Sequence, residues 1–137
     1  MALALLEAEY PPLGSGDVTS LMDIAYAYGS AGNAEMFDDA MKRTRVSLDT
    51  LTELGARSSF FKFTEAVYFT MVGERDRAIV LLSNAVDAGL LMGTKFSDDW
   101  VALKVLDGDP EYEAIQARMV EHLNAERAEL GLEPVST

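Results

Sequence analysis

The sequence predicts an all-α fold built from antiparallel helix pairs. Apolar residues return at spacings of three and four along most of the chain, and glycines and prolines fall mostly between these runs. No stretch alternates with the period of two that a half-buried strand needs. The length of 137 residues matches one domain and is enough to bury about two thirds of the unfolded surface. Folding therefore needs neither a disulfide nor a metal.

Taken in order, Ala2 to Glu9 has helical composition and is stopped by Pro11 and Pro12, with Gly14, Ser15 and Gly16 as a loop. Residues 1–16 read as the end of a preceding helix and its loop, and the uncapped start suggests a piece of a longer protein. A helix follows from Asp17, with Asp17 or Thr19 as N-cap, Leu21, Ile24, Ala25 and Tyr28 on one face, and Gly29 to Gly32 closing it. The next runs from Asn33 to Leu54, with Phe37, Met41, Leu48, Leu51 and Leu54 recurring until Gly55. Ser58 or Ser59 starts a third helix, in which Phe60, Phe63, Val67 and Met71 share a side up to Gly73. Glu74 to Ala88 forms a fourth, with Ala78, Leu81, Leu82 and Ala85 as its stripe before Gly89.

The run Leu90, Leu91, Met92 is expected beneath a loop, and Ser97 is expected to cap a short helix reaching Leu106. The best-marked boundary is Asp109, Pro110, Glu111: a capping acid, proline at the first helical position and an acid near the positive helix end. The last helix spans Glu111 to Leu130, with Tyr112, Ile115, Met119, His122 or Leu123, and Leu130 on its apolar side, and it stops at Gly131 and Pro134. Residues 133–137 read as a tail.

Composition narrows the function. Hydrophobic residues at 49% and charged residues at 25% are ordinary globular values, which disfavours a disordered chain. The absence of cysteine removes thiolate nucleophiles, disulfides and Cys-based metal sites. A net charge of -12 argues against phosphate backbones and anionic membrane surfaces, so no nucleic acid and no membrane partner is expected. No run reaches the roughly 18 apolar residues of a membrane span, and Met1 to Leu6 lacks the basic start of a secretory signal. The expected location is cytoplasmic.

An internal repetition carries more information. Ala25 to Asn33 and Ala66 to Glu74 share a small residue, an aromatic three further on and a glycine four after that, and the glycines lie 41 residues apart. The small residue admits a neighbouring helix, the aromatic fills the gap and glycine permits a tight turn. After Gly73 come Ala78, Leu82 and Ala85, and at the same offsets after Gly32 come Phe37, Met41 and Thr44. Phe60 to Leu91 resembles one tetratricopeptide repeat, whose period is roughly 34 residues. The earlier copy departs from it by its larger residues and its longer second helix.

Residues 17–132 resemble this family in architecture, which implies a short right-handed superhelix of helix pairs. They are also similar to the C-terminal repeat regions of bacterial multidomain regulators, such as nucleotide cyclases and winged-helix transcription regulators. The resemblance places Met22, Tyr26, Phe60, Phe63, Val67 and Thr70, with Thr19, on a concave face that holds an extended peptide. The competing reading covers Phe63 and Met22 with flanking helices. Repeats that clamp a terminal carboxylate use Lys, Arg and Asn, whereas Phe63 and Val67 stand at two of those positions, which argues against such a ligand.

Other candidates have plainer readings. His122 is the lone histidine and could complete a metal site only with carboxylates, so no metal or other cofactor is expected. Asp107 to Glu111 fails as a calcium loop because its glycine is misplaced and proline interrupts it. The serines lack a histidine partner, Asp38 and Asp39 diverge on a helix, and no phosphate-cradling loop occurs, so no enzyme activity is expected. Trp100 reads as an anchor for the last helix pair, and Lys42, Arg43 and Arg45 as partners of Asp38, Asp39 and Asp49.

The functional expectation is a non-catalytic protein or peptide interaction module, with homodimerisation as one form of it. The alternative is a small-ligand sensor with Tyr26, Tyr28, Phe63 and Phe69 lining a pocket between helices.

Overall fold

A computed structural model describes residues 15–92 and 95–135. The helix expected over Ala2 to Glu9 and the stop at Pro11 and Pro12 lie outside these residues, as do Gly93, Thr94 and the last two positions of the tail. The described residues form six α-helices and one 3₁₀ helix, with no strand among them. They are α1 Ser15–Ser30, α2 Ala34–Glu53, α3 Ser59–Met71, α4 Arg75–Asp87, α5 Phe96–Asp99, the 3₁₀ helix Val101–Leu106, and α6 Pro110–Glu129. The all-helical class expected from periodicity is the observed one.

Two compact units divide the chain between Arg57 and Ser58. In the first, α1 pairs with α2. Its backbone is already helical at Ser15, so Ser15 and Gly16 are not a loop, and Asp17 and Thr19 lie within the helix. Asn33 does cap α2, its side chain accepting the Met36 N–H at 3.2 Å. The buried stripe of α2 is Ala40, Met41, Thr44, Ser47 and Leu48. Leu54, expected on that stripe, is the C-cap residue and 77% exposed. Thr44 is tolerated at 0% exposure because its hydroxyl donates to the Ala40 carbonyl at 2.8 Å, leaving no polar atom unpaired.

In the second unit α3 pairs with α4, α3 also meets the 3₁₀ helix, and α4 meets α6. Ser58 caps α3 by accepting the Phe61 N–H at 3.0 Å. Eight of the thirteen residues of α3 are buried, including Phe61, Phe63, Ala66 and Phe69, which makes it the central helix of this unit. Leu90 is buried, whereas Leu91 is 40% exposed. Ser97 does not cap the short helix. Lys95 stands at that position, and the Ser97 hydroxyl, inside the helix, donates to Asp107 Oδ1 at 2.9 Å.

The Asp-Pro boundary forms as its residues dictate. Asp109 Oδ1 accepts the N–H groups of Glu111 at 3.0 Å and Tyr112 at 3.3 Å, and Pro110 occupies the first turn, where no N–H is needed.

The repeated motif has a structural counterpart. Gly32 and Gly73 adopt positive φ of 77° and 85°. After each, the next N–H returns five residues to the aromatic carbonyl: Asn33 to Tyr28 and Glu74 to Phe69, both at 2.9 Å. Ala25 and Ala66 are fully buried.

Candidate functional site

The concentration of rings in the second unit begins with α3, which places Phe60 and Phe63 one turn apart with ring centroids 6.2 Å from each other. The segment around α5 returns two more rings. Trp100 stands edge-on to Phe63 at 5.3 Å and lies 6.1 Å from Phe60, while Phe96 sits 5.3 Å from Phe63. Tyr112, from the first turn of α6, extends the series 6.2 Å beyond Phe96. Phe63, Phe96 and Tyr112 are buried, Trp100 is half-buried and Phe60 is 45% exposed. The cluster therefore runs from core to surface, and the exposed ring at its end is braced from behind. Such tilted and edge-on pairs add about 0.5–1.5 kcal/mol beyond area burial.

Polar groups hold the elements that carry these rings. Gln116 Oε1 accepts the Phe96 N–H at 3.0 Å and so pins the start of α5 to α6. Burial pushes the Tyr112 phenol above its ordinary value, partly offset by Ser97 beside it. On the far side, Arg75 at the start of α4 bonds both oxygens of Asp109, at 2.8 and 2.7 Å, and reaches Glu111 at 2.9 Å and Asp76 at 2.7 Å. The guanidinium beside Asp109 lowers its carboxyl to about 2 and raises Arg75 in turn.

Further along, Arg118 Nη2 bonds the Ser83 carbonyl at 3.1 Å and hydroxyl at 2.9 Å, and pairs with Asp87 at 3.2 Å. With starts joined to starts and later turns to later turns, α4 and α6 run parallel. Their positive dipole ends lie side by side, a repulsion that Asp76, Asp109 and Glu111 offset. Between them Ile79, Val80, Ser83, Ala114, Ile115 and Arg118 contribute to a groove of about 370 Å³.

Of the six residues expected on a concave face, Met22 (1% exposed), Phe63 (0%), Val67 (1%) and Thr70 (8%) are interior. Thr70 also satisfies its hydroxyl within its own helix, donating to the Ala66 carbonyl at 2.8 Å. Tyr26 and Phe60 reach solvent, at 37% and 45%. The four interior residues are packing positions within their own units. Of the four rings expected to line a ligand pocket, Tyr26, Tyr28, Phe63 and Phe69, the last two are buried, at 0% and 4%. Phe63 is surrounded by rings, and Phe69 carries Tyr68 edge-on at 5.1 Å and the Arg77 guanidinium 4.2 Å above its face.

The remaining candidates are simpler. His122 is exposed. Arg43 pairs with Asp39 and Arg45 with Asp49, in each case one turn away. Among the described residues no group of three or more His, Asp or Glu is placed to hold a metal ion, and no helix is long and apolar enough to cross a membrane.

Arg75, Arg118, Gln116 and Phe96 were not singled out from the sequence. Arg75 and Asp109 stand 34 residues apart, beyond the reach of helix-face spacing.

No protein-family model matches the chain, and neither the curated proteins nor the solved structures compared with it give a match.

Proposed function

We propose that the chain is a non-catalytic association module that docks a protein or peptide through the exposed end of its aromatic cluster, with Phe60 and Trp100 as the contact. Phe60 carries the reading: a large apolar ring, 45% exposed, braced by Phe63 and Trp100. A rigid aromatic that loses little freedom on binding is the usual anchor of a protein interface. Val101 beside Trp100, at 42% exposure, widens the apolar surface. A tetratricopeptide-like module within a larger bacterial signalling or transcription regulator, working in the cytoplasm, is the setting this reading favours. Its support is the 41-residue motif and the parallel α4 and α6, tied across roughly one repeat length.

The test uses Trp100, the single tryptophan of the chain, as a reporter. Light scattering with size exclusion across a concentration series reads self-association, and Trp100 emission reads capture of added peptides. Phe60→Asp is expected to abolish both without unfolding the chain, since the ring already meets solvent. Association unchanged in that variant would overturn the assignment.

A further inference from the structure

The last helix is built into the core over only half its length. Tyr112, Ile115, Gln116 and Met119 of α6 are buried, and no residue from Val120 to Glu129 is. The second half holds peptide backbone. The chain turns at Gly131, with φ of 73°, and the Leu132 N–H closes on the Arg127 carbonyl at 2.8 Å. Residues 133–135 then lie along the helix they have just left.

Asn124 Nδ2 donates to the Val135 carbonyl at 3.0 Å, while its Oδ1 accepts the Val135 N–H at 2.7 Å. One side-chain amide thus satisfies both backbone groups of one residue, as a neighbouring strand would. The two bonds also fix which way the amide faces, since the reverse orientation would set donor against donor. One turn along, Arg127 Nε donates to the Glu133 carbonyl.

The residues contacted are two apart, matching the side-to-side period of an extended segment. Pro134 between them has no N–H, and none is called for, while its ring biases Glu133 toward extended backbone. These three bonds read no side chain of the segment.

We propose that the Asn124–Arg127 face of α6 is a peptide-binding site that reads extended backbone, and that its occupant in trans is the same segment, residues 133–135, of a second copy of this chain. The segment is already seated on the site, so a second copy presents the same complementary groups by identity. Exchange needs only the turn at Gly131 to open, and reciprocal exchange forms a closed two-fold pair. Opening that turn also carries Leu130 and Leu132, 75% and 49% exposed in the closed form, into the connection between the two copies. In cis the short link supplies a local concentration on the order of 1 mM, which keeps the monomer closed until the cis contact is disabled. The proposal extends the self-association part of the reading above but uses neither Phe60 nor Trp100, so each can fail alone.

Two complementary full-length variants test it. Asn124→Ala keeps the segment and loses the site, whereas Val135→Pro keeps the site and loses the N–H that the site reads. In nuclear magnetic resonance spectra of isotope-labelled Val135→Pro chain, the Asn124 side-chain amide signals should shift and saturate on addition of unlabelled Asn124→Ala chain. They should stay in place on addition of unlabelled Val135→Pro chain. No shift at up to about 1 mM, the local concentration the link supplies, would overturn the proposal. So would equal shifts with both additions, since pairing would then use another face. A shift that persists when Phe60→Asp is added to both chains would keep this site even if Phe60 proves irrelevant to association.

Discussion

The hairpins α1–α2 and α3–α4 share one turn chemistry and fill the space behind it in opposite ways. In the first, Gly29 lies on α1 opposite Phe37, and a Cβ at Gly29 would stand 3.5 Å from the Phe37 ring. At the equivalent places of the second stand Thr70 and Ala78, both buried. Volume has moved from one helix to its partner while the glycine turn stayed the same. A helix pair is thus specified by the sum of what meets at the contact and by how its turn closes, more than by the residue at any single position.

The comparison can be broken most severely at Phe63. Phe63→Ala removes the ring at the centre of the aromatic cluster and is expected to cost about 3–5 kcal/mol, read as a lowered urea midpoint. The exchange of volume gives the next test: a Cβ at Gly29 already touches the Phe37 ring, so the γ atoms of Gly29→Thr should crowd it and destabilise by roughly 1–3 kcal/mol, and Phe37→Ala on top of it should recover part of that loss. If the double variant is simply the sum of two losses, the hairpins do not share a packing scheme.

The equality of the turns is tested by Gly32→Ala and Gly73→Ala. Each forces a side chain into the left-handed region, and each should lose about 1–2 kcal/mol, by the same amount within error. Unequal losses would mean that only one turn depends on its glycine.

The smallest effect concerns pH. Asp109 is held at about 2, below its ordinary 3.8, so its contribution to stability is complete above the ordinary value and is lost as pH falls toward 2. Denaturant midpoints measured between pH 5 and 2 should fall less steeply in Asp109→Asn, which still offers an oxygen to cap α6 but cannot titrate.

Much of the fold could be read from residue spacing. The glycines after α1, α2, α3 and α4 and the Asp109 cap mark boundaries with local chemistry, because a helix end needs specific donors, acceptors and φ values. The start of α1 was misplaced because a helix can take in serine and glycine without any apolar signal. Ser97 misled for a related reason: its hydroxyl found a partner ten residues away in Asp107 in place of the adjacent backbone. The candidate site was legible only in part. Phe60 was singled out, but spacing says which residues share a helix face and not whether another segment covers that face. Phe96 and Trp100 arrive from beyond a loop, and they convert Phe63 from a surface position into a core one. Asn124 carries no signal in the sequence, since its role depends on where residues 133–135 return.

The parallel alignment of α4 and α6 bears on how the second unit folds. Both helix hairpins are held by contacts between chain neighbours, which form on the timescale of local structure. The Arg75–Asp109 and Arg118–Ser83 ties close loops of 34 and 35 residues, and that closure must come before either pair gains anything. Docking of α6 is therefore the step that raises the contact order of this unit. Substitutions at Arg75 and Arg118 are the ones whose effects on folding rate and unfolding rate would show how early the last helix arrives.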